Sequence, residues 1–121
     1  MGNVNKVFLL GNLTRDPELR YTSGGSAVCN LSIATNRKYK TDRGTKEETT
    51  FHRIVVWGKQ GESCGQYLRK GRSIHVEGRL QSRSWETDDG QKRSTIEVVA
   101  EDVQFLGGGG SRRSQSDDVG F

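Results

Sequence analysis

Apolar and polar positions alternate with a period of two through most of the first 106 residues, the spacing of half-buried strands. The alternation predicts strands over Asn5–Leu13, Ala27–Arg37, Thr49–Trp57, Ser73–Trp85 and Ser94–Phe105. Clusters of Gly, Asp and Thr punctuate them and assign Thr14–Ser26, Tyr39–Glu48 and Glu86–Arg93 to loops. Asp88-Asp89-Gly90 in the last of these is a strong turn signal. One stretch, Lys59–Arg69, reads as a helix. It is a weak one, because Gly61 and Gly65 each cost about 1 kcal/mol against Ala, and Gly71 is expected as its C-cap. The order is three strands, one helix, two strands, which predicts an all-β domain built on a small closed five-stranded barrel with one short helix between strands 3 and 4.

The strand faces differ in kind. In the third expected strand His52, Ile54 and Val56 share one face, while Phe51, Arg53, Val55 and Trp57 share the other. In the fourth, Ile74, Val76, Gly78 and Leu80 oppose His75, Glu77, Arg79, Gln81, Arg83 and Trp85. One face of each reads as core; the opposite face mixes large aromatics with arginine. A barrel interior does not accommodate Arg79 and Arg83, so the rings beside them belong outside. Exposed rings next to guanidinium groups suit a platform on which unpaired bases stack while cations meet phosphates. The same pattern also suits a second hydrophobic cluster or a subunit contact around Trp57 and Trp85. Tyr39, in Arg37-Lys38-Tyr39-Lys40, is either a further stacking ring between phosphate-binding lysines or a solvated hairpin tip.

Length and composition narrow the picture. The chain has 121 residues, suited to one domain. Leu, Ile, Val and Phe make up about 21% of it, so the core is thin and subunit association is an expected source of further burial. Residues 1–60 hold ten basic and five acidic residues, which places the positive excess in the first half; this suits either an ordinary basic soluble protein or, as the leading functional alternative, one that binds nucleic acid. The apolar run Val7–Leu10 is too short for a membrane span or a signal-peptide core. Cys29 and Cys64 form neither a metal-type pair nor a disulfide framework, and a reducing cytosol is the natural setting. Catalytic groups are sparse. His52 sits on the apolar face and reads as an interior or interface histidine, His75 lies on the mixed face of its strand, and Asp88-Asp89 is explained by its turn. No phosphate-cradling loop occurs. No catalysis, cofactor or metal is expected.

Several segments carry a resemblance: Asn5-Lys6-Val7 with Gly11-Asn12-Leu13 and Asp16-Pro17-Glu18, Phe51-His52-Arg53, Trp57-Gly58-Lys59, Tyr67-Leu68-Arg69-Lys70-Gly71, and Val76-Glu77-Gly78. Together, in this order, they resemble the bacterial single-stranded DNA-binding protein family over roughly Asn3 to Leu106. The resemblance implies an OB-fold homotetramer in the bacterial cytoplasm, associated with the nucleoid. Such a protein coats single-stranded DNA with little sequence preference during replication, recombination and repair. The family's four stacking positions fall on Tyr39, Phe51, Trp57 and Trp85, and its interface histidine on His52. Phosphate contacts are expected from Lys6, Arg15, Arg20, Lys38, Arg53, Lys59, Arg72, Arg79 and Arg83. A primosome-type or cold-shock-type OB module would also bind single strands; the acidic tail and the length speak against it.

Residues 1–106 are therefore expected to form the binding domain, and 107–121 a flexible Gly/Ser/Arg linker with an acidic tip. Asp117, Asp118, Val119 and Phe121 resemble the family's partner-binding end, with Gly120 in the place of its usual proline. The resemblance implies docking of replication and repair proteins there, Phe121 in a pocket and the carboxylates against basic groups.

Overall fold

The computed structural model describes residues 2–107. The expected linker past Gly107 and the tip residues Asp117, Asp118, Val119 and Phe121 lie outside the described residues. The elements are β1 (Val7–Leu13), β2 (Glu18–Tyr21), β3 (Ala27–Thr41), β4 (Gly44–Trp57), α1 (Gly58–Tyr67), β5 (Ser73–Glu86) and β6 (Lys92–Phe105).

Five strands close into a ring. β1 pairs antiparallel with both β5 and β3, β5 with β6, and β3 with β4. A short parallel contact between β4 and β6, Ile54 with Val98 and Val55 with Val99, completes the circuit. Helix α1 follows the third barrel strand, as the element order predicts. The alternation of apolar positions explains the filling: Leu31, Ile33, Ile54, Val56, Ile74, Val76 and Val98 point inward, with Leu13, Cys29, Cys64 and Leu68 completing the core.

Helix α1 lies close against the barrel. A Cβ at Gly61 would run into the Val56 carbonyl, so the glycine that weakens the helix is what allows its approach. The helix ends at Leu68, whose N–H donates to the Cys64 carbonyl at 3.1 Å. Gly71 is not the C-cap that the sequence suggests. It lies in the following turn, at φ 94°, with its N–H donating to the Leu13 carbonyl at 2.8 Å.

Other departures share a cause: cross-strand pairing extends strands through polar segments that carry no hydrophobic signal. β3 and β4 run to Thr41 and from Gly44, so Tyr39 sits within a strand opposite Lys46 and not in a loop. The turn rests on Gly44 at φ 116°. β2 forms inside the expected Thr14–Ser26 loop because its backbone adds to the free edge of β3, from Glu18 opposite Asn30 to Tyr21 opposite Ala27. Leu80 continues the core face of β5 by alternation yet is exposed, because β5 and β6 continue as a long antiparallel pair as far as Glu86 and Lys92.

Candidate nucleic-acid interface

Residues directly opposite on paired strands project to the same side. One row crosses the outer surface from Glu18 to Asn30, Val55, Val99 and Arg79. A parallel row runs Arg20, Val28, Trp57. Alternation along β4 brings Arg53, opposite Ser32, and Phe51, opposite Ala34, onto this face. Along β5 it adds Arg83, opposite Thr95, and Trp85, opposite Arg93. The middle of the face is sunken: Val55 and Val99 are buried on the outer side, as Ile54 and Val98 are on the inner side. The result is a concave surface with an apolar floor and a rim of rings and cations.

The rings are open to solvent: Phe51 68%, Trp57 48%, Trp85 44% and Tyr39 37%. Arginine accompanies two of them. The Arg83 guanidinium lies 5.3 Å from the Trp85 ring centroid, and that of Arg37 4.7 Å from Tyr39. A groove in the face is lined by Arg15, Glu18, Arg20, Asn30, Arg53 and Arg83. An adjoining recess shares Arg15 and Arg53 with Phe51, His52 and Thr95. A third hollow, at the end of the β5–β6 arm, has Trp85, Lys92 and Arg93 in its wall.

The expected cations divide. Arg15, Arg20, Arg53 and Arg83 converge on the groove. Lys38 lies on the β3–β4 arm opposite Glu47, and exposed Lys59 is the second residue of α1, two after Trp57. Lys6 is held elsewhere, with Nζ 2.9 Å from Glu77 and 2.8 Å from Glu101. Those carboxylates raise the Lys6 pKa above the usual lysine value, and Lys6 in turn lowers that of Glu101. Arg79 shares Glu101 at 3.6 Å. Arg72 is turned toward the end of β6, with Nη2 donating to the Leu106 carbonyl at 3.5 Å. His52 is half-buried, and its Nε2 lies 2.9 Å from Thr35 Oγ1. His75, on the mixed face of β5, stands beside Phe8 at 6.5 Å between ring centroids.

Three members of this surface are not among the site residues expected from the sequence. Glu97 is buried facing Arg83, Glu101 neutralises two of the expected cations, and Arg37 covers Tyr39. Only the last had a signal: Arg37-Lys38-Tyr39 and Arg83-Ser84-Trp85 place arginine two residues before a ring, hence on the same strand face.

Cys29 and Cys64 are buried, and desolvation pushes their thiols up to about 11 and about 12. Among the described residues no group of three His, Cys, Asp or Glu side chains gathers to hold a metal ion. No described helix is long and apolar enough to cross a membrane.

The family model described as the single-strand binding protein family matches residues 4–106. A single-stranded DNA-binding protein of Treponema pallidum is 49% identical over 117 residues, 95% of this chain and 66% of the relative. The single-stranded DNA-binding protein 1 of Chlorobaculum tepidum is 46% identical over 116 residues, 94% of this chain and 72% of the relative. The chain thus spans just under two thirds of the first relative's length. Among solved structures, the Plasmodium falciparum SSB in complex with ssDNA superposes with a TM-score of 0.81 at 32% identity, over 88% of this chain and 98% of that one. The wild-type single-stranded DNA-binding protein of Thermus aquaticus gives 0.76 at 42%, over 88% and 52%.

Proposed function

The chain belongs to the single-strand binding protein family, and from that premise we propose that it binds single-stranded DNA with little sequence preference and performs no chemistry. The observation that carries the reading is the concave outer face, where Phe51, Trp57 and Trp85 stand exposed around a groove lined by Arg15, Arg20, Arg53 and Arg83. Every base has a π-face, so stacking on these rings and on Tyr39 is indifferent to sequence and supplies about 1–3 kcal/mol per base. The groove arginines meet phosphates, flanked by Lys38 and Lys59. Lys6, Arg72 and Arg79 contribute less, because they do not line the groove and each has a partner within the protein; Arg83 lines the groove but likewise has to leave Glu97.

The reading extends to a homotetramer. Phe8 and Leu10 are exposed on β1 and need a cover that a thin-cored barrel gains from its own copies, and His52 stands at a subunit contact. It extends also to replication, recombination and repair in the bacterial cytoplasm, with Asp117, Asp118, Val119 and Phe121 recruiting partner proteins. The test is a titration of tryptophan fluorescence with poly-dT at two salt concentrations. The expected result is strong quenching with an affinity that falls as salt rises. Unaltered tryptophan emission at saturating DNA would exclude the stacking face. Sedimentation checks assembly: a mass near that of the 13.5 kDa single chain would exclude the tetramer.

A further inference from the structure

Arg15, Arg20, Arg53 and Arg83 face one hollow of about 220 Å³, together with Glu18 and Asn30. They reach it from separate parts of the chain. Arg20 and Glu18 stand two residues apart on β2, Asn30 lies opposite Glu18 on β3, Arg53 is on β4, Arg83 on β5, and Arg15 between β1 and β2. Guanidinium groups facing one hollow repel one another, and the protein offsets little of that charge. Among the described residues none of Arg15, Arg20 and Arg53 is in an ion pair. Arg83 has Glu97 at 3.7 Å, longer than a hydrogen bond. Glu18 is the one acidic side chain in the lining, so four cations against one carboxylate leave a net +3. Lys6 and Arg79, by contrast, already share Glu101.

A single strand answers this charge only in part. Each phosphodiester carries one charge, and a sugar separates it from the next. A guanidinium fork pairs with two phosphate oxygens at once, so the four forks offer more donors than one phosphodiester accepts. A condensed phosphate is different. Its phosphorus atoms share bridging oxygens, which packs several charges and many acceptor oxygens into a small volume. A cleft lined by one sign of charge concentrates such an anion. Glu18 opposes every anion, and its repulsion is outweighed only by one that engages several guanidiniums together.

We propose that this hollow is a site for condensed phosphates, either a free linear chain or the triphosphate tail of a nucleotide, and that they compete there with the strand. The competition rests on the single-strand reading above; the binding itself does not.

The experiment titrates inorganic tripolyphosphate calorimetrically into the full chain, without DNA, at about 0.15 M salt. The expected result is saturable binding that weakens about tenfold or more in Arg15→Met and in Arg53→Met. It is expected to persist in Arg43→Met, which removes the same charge from the turn between β3 and β4. Deoxythymidine triphosphate separates the two sources. Tighter binding than tripolyphosphate supports the proposal with a nucleotide as ligand, and equal or weaker binding supports it with the bare phosphate chain. No saturable binding of either anion, or equal weakening by all three substitutions, overturns it. A second measurement needs no variant: tripolyphosphate is expected to weaken oligo-dT binding by the wild-type chain about fivefold more than sulfate at the same ionic strength. Equal weakening by the two anions overturns the competition. Failure of oligo-dT to bind at all would defeat the single-strand reading and leave the calorimetric result standing.

Discussion

The Arg83 guanidinium sits 5.3 Å from the centre of the Trp85 ring, two residues along the same face of β5. The pair is held by strand geometry, not by a loop, and the ring keeps 44% of its surface open. A ring presented this way offers a base a rigid plane with a cation beside it.

Replacing Trp57 or Trp85 by Ala is therefore expected to weaken single-strand binding by more than about 1 kcal/mol each, while the barrel stays folded because neither ring belongs to the core. Filter binding paired with circular dichroism checks this. Unchanged affinity in both folded variants would remove the stacking face.

Cations of the groove and cations of the ion-pair network should separate in their salt response. Arg53→Met is expected to reduce the slope of log affinity against log salt by about 0.7, the contribution of one phosphate contact to a single strand. Lys6→Met, which removes a lysine already flanked by Glu77 and Glu101, is expected to change the slope much less. Equal slope changes in the two variants would refute the division.

Gly78 allows β5 and β6 to approach at their irregular register between Glu77 and Gly78. A Cβ there would collide with the Val99 carbonyl and stand 3.1 Å from the Ala100 Cα. Gly78→Ala is expected to destabilise the fold by about 1–3 kcal/mol, read as a lowered thermal midpoint. Gly24→Ala, where the added atom meets only the Thr22 hydroxyl at 3.9 Å, serves as the control. A Gly78→Ala midpoint equal to that of the control would contradict the close approach.

The thiols give a pH dependence of definite sign. Folding raises Cys29 to about 11 and Cys64 to about 12 from the ordinary 9.0, chiefly by desolvation. Below about pH 9 both thiols are protonated folded or unfolded, and their contribution is intact. Above it the unfolded chain releases protons first, so stability declines as pH rises toward the folded values. Native protein at about pH 9 should react with iodoacetamide at least about tenfold more slowly than in urea, because the thiolate is the nucleophile. Equal rates would show that the thiols are not shielded.

Periodicity made the five barrel strands, the single helix and the outward placement of Phe51, Arg53, Trp57, Arg83 and Trp85 legible, because a strand's two faces are set by backbone geometry within a few residues. The arms beyond the barrel, β2 and the strand position of Tyr39 were not legible. Their polar residues bury nothing, and only the backbone of a neighbouring strand holds them extended. Nor could spacing along one strand reveal what lies on the next. That Glu101 neutralises Lys6 and that Glu97 faces Arg83 follow from pairing between strands, and that Val55 is sealed on the outer side by its parallel contact with Val99 follows from ring closure. Closure joins segments more than forty residues apart, and their mutual register is fixed only when the whole circuit of hydrogen bonds is complete.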